Sequence, residues 1–299
     1  MRLTELANAN APVPLGVLGE RRDLVRDVQD CLTRAGLLDP PTDGSFGPLS
    51  RWALEAFRER AGLPKDGSLS PALAQALLAP SGAEYFALQA DQSLAGRVLR
   101  AMQRKAYWIA RHPKCLNIVY LEGCNIDGTA NDNAPNQFND ARVVISLDGK
   151  GKPKLRGAWE ATSEPGRYWT MHPLDTNGAA RIAFGQYKAW SLGEHPGTSA
   201  PKHHPALVQV AEITVHRDLN EDFKRDGDRP FTGLFGINQH WGYDLPHNDI
   251  NNASAGCLVG RTKAGHLEFI ELLKSDERVR ANGGYRFMTT VMPVAELDK

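Results

Sequence analysis

Residues 20–63 read ERRDLVRDVQDCLTRAGLLDPPTDGSFGPLSRWALEAFRERAGL. Leu24, Val25, Val28, Leu32, Ala35 and Leu38 fall near the spacing that lines one face of a helix. The run then breaks on Pro40, Pro41, Asp43 and Gly44, and a second helical pattern follows with Trp52, Leu54, Phe57 and Leu63 as its apolar contacts. A second turn, PKDGSLS, leads into PALAQALLAP, where Pro71 suits the first turn of a short helix. The turns Asp43-Gly44-Ser45-Phe46-Gly47 and Asp66-Gly67-Ser68-Leu69-Ser70 echo one another, with glycines for positive φ and acidic residues ahead of helix N-termini.

Working outward, residues 83–111 carry amphipathic helical character and read as a linker. Beyond them the texture changes. LNIVYL, ARVVISL, RIAFGQY, ALVQVAEITV and YRFMTTVM are short β-favouring runs separated by Gly, Pro, Asn and Asp, and GHLEFIELLKSDERVR is the one clear late helix. The expected fold is α+β: a small N-terminal three-helix bundle at 18–82, the helical linker, and a mostly β, sandwich-like domain at 112–299.

The whole chain has 299 residues, 35 Lys+Arg against 35 Asp+Glu, and 41% hydrophobic residues. Its mean hydropathy is −0.40. That length suits about two domains. A neutral balance argues against nucleic acid as partner, because such binding rests on clustered Lys and Arg meeting phosphate. No apolar run approaches the roughly 18 residues of a membrane span. MRLTELANANAPVPLG has no apolar core of a secretory signal. Cys31, Cys115, Cys124 and Cys257 form no CxxC pair. Cys31 lies on an apolar helix stripe, and Cys115 and Cys124 flank a strand and could pair if oxidised.

The stretch GLFGINQHWGYDLPHNDINNASAGCLVGRTKAGH, residues 233–266, carries the chemistry. His240 is followed 17 positions later by Cys257, which Ser254-Ala255-Gly256 precedes. A thiol nucleophile needs a base, and an imidazole brought close by the fold can serve. Gly256 would admit substrate close to the backbone, where N–H groups at Gly256 and Cys257 can face an oxyanion.

Two resemblances follow from these residues. Val28-Gln29, Leu32, the DGSFG turn, Ser50, Ala53-Leu54, Phe57, Gly62-Leu63 and Asp66-Gly67 resemble the three-helix peptidoglycan-binding domain attached to cell-wall enzymes. That resemblance implies that Asp43, Gly44, Phe46, Gly47 and Trp52 meet the wall polymer. Ile237-Asn238-Gln239-His240-Trp241-Gly242 and Ser254-Ala255-Gly256-Cys257-Leu258-Val259 resemble the catalytic motif of the L,D-transpeptidase (YkuD-like) family. Asp148-Gly149, Thr162-Ser163-Glu164-Pro165-Gly166 and Tyr168 extend the likeness upstream, while Lys188 to Arg229 has no counterpart. Ala255 stands where many members have His, and Val259 where an Arg often sits, with Arg261 two places on. The resemblance implies Cys257 as nucleophile, His240 as base, Gly256 and Cys257 as oxyanion site and Ser254 as the loop's orienting residue. Asn238, Trp241, Tyr243 and Arg261 would meet substrate. The implied reaction is attack on an L-centre carbonyl of a peptidoglycan stem peptide, with release of a terminal D-amino acid, a thioester, and its resolution by an amine or by water.

No cofactor is expected. Asp218, Asn220 and Asp222 alternate like calcium ligands, but Phe223 and Arg229 stand where an EF-hand has Gly and Glu. His195, His203, His204 and His216 invite a zinc reading without HExxH, and HPGTSAPKHHP reads more simply as an exposed loop. The rivals to a cysteine enzyme are a non-catalytic wall-binding protein and a metal-dependent peptidoglycan hydrolase. The expected partners are stem peptides and glycan, the expected place the cell envelope or periplasm, reached by signal-independent secretion or by release on lysis.

Overall fold

A computed structural model describes residues 1–196 and 203–299, side chains at 83–85 excepted. The chain divides into two compact units. One comprises Met1–Cys115, Ser146–Lys154 and Asp276–Gly283, the other Leu116–Ile145, Leu155–Ser275 and Gly284–Lys299.

The first unit begins with α1 (Leu3–Ala7) and β1 (Val13–Pro14), followed by α2 (Arg22–Arg34) and α3 (Pro48–Arg60). It continues with β2 (Ser68–Leu69), α4 (Pro71–Leu78) and α5 (Leu94–Arg104). The segment expected as a linker thus contains α5. The apolar stripes meet as expected: Leu24, Val25, Val28 and Leu32 of α2 pack with Ala53, Leu54 and Phe57 of α3 and Leu73 and Leu77 of α4. Ser70 caps α4, its hydroxyl accepting from the Leu73 N–H.

Each Asp-Gly turn is held by a buried polar side chain of the helix before it. Gln29 of α2 donates to Asp43 Oδ1 at 2.8 Å, the Ser45 carbonyl at 3.0 Å and Ser50 Oγ at 3.0 Å. Its Oε1 accepts from the Gly44 N–H at 2.7 Å and the Asp43 N–H at 3.1 Å. Gly44 supplies the φ of +75° that this turn requires. Arg58 of α3, 1% exposed, donates to the Ser68 carbonyl and lies 3.4 Å from Asp66 Oδ1.

The second unit is built on strands. β3 (Asn117–Glu122), β4 (Asp140–Leu147) and β5 (Pro153–Thr162) lead to α6 (Arg167–Met171) and β6 (Ala179–Ile182). Then come β7 (Gly185–Pro196), β8 (His203–Gln209), β9 (Ile213–Asp218), β10 (Arg229–Gly233), β11 (Gln239–Trp241) and β12 (Leu258–Gly260). α7 (Lys263–Lys274) and β13 (Phe287–Pro293) complete it, and α8 (Glu277–Ala281) belongs to the first unit. The late helix read as one piece is therefore two. Asp276 interrupts it, its carboxylate accepting from the Arg278 N–H at the start of α8.

The expected sandwich is instead a closed barrel, in the order β11-β12-β5-β4-β3-β13-β7-β8, beside a three-stranded sheet β10-β9-β6. Closure rests on two strands of three residues. β12 pairs antiparallel with β5, and β11 pairs antiparallel with β8 and parallel with β12. Such short segments carry too little periodicity to be read in advance. Gly260 of β12 also matters: a Cβ there would stand 2.7 Å from the guanidinium of Arg142, which is wholly buried against Phe269. The part of HPGTSAPKHHP that is described is strand rather than loop, ending β7 and opening β8; residues 197–202 lie outside the described residues.

Candidate active site

β11 and β12 pair the chain segments that carry the two residues singled out for acyl transfer. Gln239 pairs with Leu258 and His240 with Val259, in parallel. One step earlier, the Asn238 N–H donates to Cys257 Sγ at 3.4 Å and the Asn238 carbonyl accepts from the Leu258 N–H at 3.0 Å. Side chains alternate along strands, so residues 238 and 240 project from the same face of this pair as 257 and 259. Cys257 and His240 therefore share a face of adjoining chain segments.

The resting thiol is protonated. Cys257 is 9% exposed, its S–H faces the Gly236 carbonyl at 3.8 Å, and burial pushes the thiol up to about 11 against the Asn238 N–H. His240 is neutral. Burial, then the nearby His195, hold it well below the usual imidazole range. Its Nδ1 lies 2.8 Å from the Trp241 carbonyl, which can only accept, so Nδ1 carries the proton and Nε2 keeps its lone pair.

Two histidine rings flank His240. His195 stacks on His240 with centroids 4.1 Å apart, and His204 approaches both, at 5.2 Å and 5.8 Å. Asn238 Oδ1 accepts from the Gln209 N–H at 2.9 Å, so its Nδ2 is the donor to His195 Nδ1, also at 2.9 Å. His195 is thereby protonated on Nε2, and burial pushes its pKa down to about 4. Both ring nitrogens of the buried His204 lack a hydrogen-bond partner among the described residues. No group of three His, Cys, Asp or Glu side chains among the described residues is arranged to hold a metal.

The loop before Cys257 is tightly determined. Ser254 Oγ donates to the Cys257 carbonyl at 2.9 Å and accepts from the Gly256 N–H at 3.1 Å. Gly256 has φ +119°, and a Cβ there would stand 2.4 Å from the Ala180 carbonyl of β6. The close approach expected of substrate is made by the chain's own strand. The Gly256 N–H, expected at an oxyanion, is already engaged by Ser254.

The residues expected to meet substrate divide. Tyr243 is 41% exposed, its ring 6.0 Å from His240, and burial together with the neighbouring Cys257 raises its hydroxyl pKa. Trp241 is buried against His204, with centroids 3.9 Å apart, so it does not line a cleft. Arg261 pairs with Glu160, which also meets His247, so its charge is already matched. Among the wall-binding candidates, Asp43 and Gly44 are occupied with Gln29, and Gly47 caps α3. Phe46 lies under the Arg51 guanidinium at 5.4 Å, and half-buried Trp52 meets His112 edge-on at 5.2 Å.

Asp218, Asn220 and Asp222 close a turn: Asp218 accepts from the Asp222 and Phe223 N–H groups, and Asn220 donates to Asp222. All four cysteines are free, so Cys115 and Cys124 are not joined. Sequence reasoning missed Trp190, whose indole donates to the Ile237 carbonyl at 2.8 Å, and Gln209, whose Oε1 accepts from the Phe235 and Ile237 N–H groups. Both brace the approach to β11 from β7 and β8, and no local motif marks them.

Residues 21–77 match the peptidoglycan binding domain family. The N-terminal segment carries that domain. A search of curated proteins gave no match for the chain. Among solved structures, the chain is similar to a fused Zn-dependent amidase/peptidase/peptidoglycan-binding domain-containing protein from Clostridium acetobutylicum ATCC 824. The identity is 16%, with 94% of this chain and 99% of that one covered and a TM-score of 0.27. It is also similar to an L,D-transpeptidase from Xylanimonas cellulosilytica DSM 15894, at 13% identity, with 90% and 92% covered and a TM-score of 0.21. No helix among the described residues is long and apolar enough to cross a membrane.

Proposed function

We propose that this protein is a peptidoglycan-modifying cysteine acyltransferase or peptidase of the L,D-transpeptidase kind, held on the wall by its N-terminal domain. The observation that carries the reading is the shared face of Cys257 and His240 together with the His240 tautomer, which leaves Nε2 as proton acceptor. The Trp241 carbonyl fixes the ring as an orienting group fixes the histidine of a catalytic triad.

In the proposed reaction, His240 Nε2 takes the thiol proton as Cys257 Sγ bonds to the carbonyl carbon of the L-centre in a stem peptide. The Cys257 N–H faces the oxyanion. The C–N bond then breaks, the departing D-amino acid takes the proton from His240, and a thioester remains. An amine of a neighbouring stem, or water, gives its proton to His240 and displaces Cys257, whose sulfur takes that proton back from His240, yielding a cross-link or a trimmed peptide. A neutral thiol beside a neutral base suits proton transfer concerted with attack rather than a standing thiolate. The wall-binding domain raises the local concentration of stem peptides around the enzyme.

Purified sacculi incubated with the wild type and with Cys257→Ala test the reading. Muropeptides that change only with the wild type, while both proteins sediment with sacculi, support it; equal products overturn the thiol mechanism. The rival, a wall-binding protein without turnover, draws on the burial of Cys257. A thiol probe that labels Cys257 no faster than Cys31 in the presence of stem peptide would favour that rival.

A further inference from the structure

We propose that the first unit holds a second recognition site, a pocket that binds a zwitterionic amino-acid end of a stem peptide, with its carboxylate at Arg111 and its ammonium at Glu55. Every described residue lining this pocket belongs to the first unit, and none is shared with the Cys257 site. The pocket encloses about 320 Å³, at the small end of the range for ligand sites. α3 supplies one wall, from Trp52 through Glu55 to Glu59, and Phe86 and His112 supply an aromatic one.

The charges decide the ligand class. Most are already matched: Lys114 lies 3.1 Å from Glu277, Glu59 lies 2.8 Å from Lys65, and Asp148 accepts from the Lys150 and Lys152 N–H groups. Arg111 differs. Its guanidinium donates to the Phe86 carbonyl at 3.4 Å and meets no carboxylate among the described residues, and burial alone lowers its pKa. A half-buried guanidinium without an anion is a ready partner for a carboxylate. Glu55 is the least committed acid, 3.6 Å from an Arg58 that Asp66 and Ser68 also engage. A cation that meets no carboxylate and a weakly engaged carboxylate, in one pocket with aromatic lining, complement a zwitterion better than an uncharged sugar. Trp52 and Phe86 would cover its aliphatic part.

The inference rests on the wall-directed reading, and its test separates the two. The probe is the tetrapeptide L-Ala–γ-D-Glu–meso-diaminopimelate–D-Ala, titrated calorimetrically into the full chain carrying Cys257→Ala to prevent turnover. The expected result is binding that Arg111→Gln and Glu55→Gln each weaken by about tenfold or more. Arg111→Lys should retain most of it, and the same peptide with amidated carboxylates should bind as weakly as the Arg111→Gln variant shows. Glu55 is partly exposed on α3, so Glu55→Gln decides the matter even if Arg111→Gln fails to fold. Three results overturn the site: no peptide binding, affinity unchanged by either Gln variant that folds, or chitotetraose bound in the peptide's place with the same dependence on Arg111. Sedimentation with sacculi and muropeptide release read the wall-binding and catalytic proposals separately.

Discussion

His195 lies face to face with His240, their ring centroids 4.1 Å apart and their planes 13° from parallel. Asn238 joins this pair to the candidate nucleophile, donating through its side chain to His195 and through its backbone to Cys257 Sγ. One residue thus sets the position of both the thiol and the ring stacked on the candidate base.

Replacing the stacked imidazole by a phenyl ring should move the acid limb of activity. Burial first, and then the neighbouring His195, hold the His240 pKa down. A base must be neutral to accept a proton, so raising its pKa leaves it protonated to higher pH. His195→Phe keeps an aromatic ring there and removes the imidazole whose protonation competes with that of His240. The acid limb of the kcat/KM profile on stem peptide should shift to higher pH, with activity above neutrality largely kept.

Fold stability should fall with acid. His195 is held near 4 and His266 near 3 in the folded chain, chiefly by burial, against 6.5 for free imidazole. The unfolded chain therefore binds more protons between these values, so the stabilisation is complete above about pH 6.5 and is lost as pH falls toward 4. His266, fully buried between the Pro205 carbonyl and Arg142, contributes roughly 2–3 kcal/mol of this loss by about pH 4.5. Urea denaturation across that range, repeated on a His266 variant, measures it.

Gly256→Ala should disable the site without touching a reacting side chain. The new methyl meets the Ala180 carbonyl at 2.4 Å, at a φ of +119° that L-residues rarely adopt. The loop must move, and Cys257 with it. Product formation should drop by at least about tenfold while sacculus binding is retained.

Gln29→Leu should destabilise the N-terminal domain by about 2–3 kcal/mol, because the N–H groups of Asp43 and Gly44 lose their acceptor inside the turn. Chemical denaturation reads the loss. Sacculus binding should weaken only as far as the domain unfolds, since the turn is a structural element.

Much of this molecule was legible along the chain. The helical stripes of α2 and α3, the Asp-Gly turns and the strong β runs of β3, β4 and β13 are local patterns, each written within a dozen residues. Spacing alone also offered Cys257 and His240, but only as a possibility. It could not show that Gln29 and Arg58 hold the two turns, because their partners lie 14 and 8 residues away.

By itself, then, the sequence determined a helical N-terminal segment followed by a β-rich half, since periodicity and turn chemistry act between near neighbours. Only the tertiary structure decided that the β half closes as a barrel. It decided too that Gly256 makes room for β6 rather than substrate, that Arg261 is spent on Glu160, and that His195 and His204 gather around His240. Those are contacts between distant segments, made by burial and backbone pairing, and no local pattern encodes which distant group will arrive.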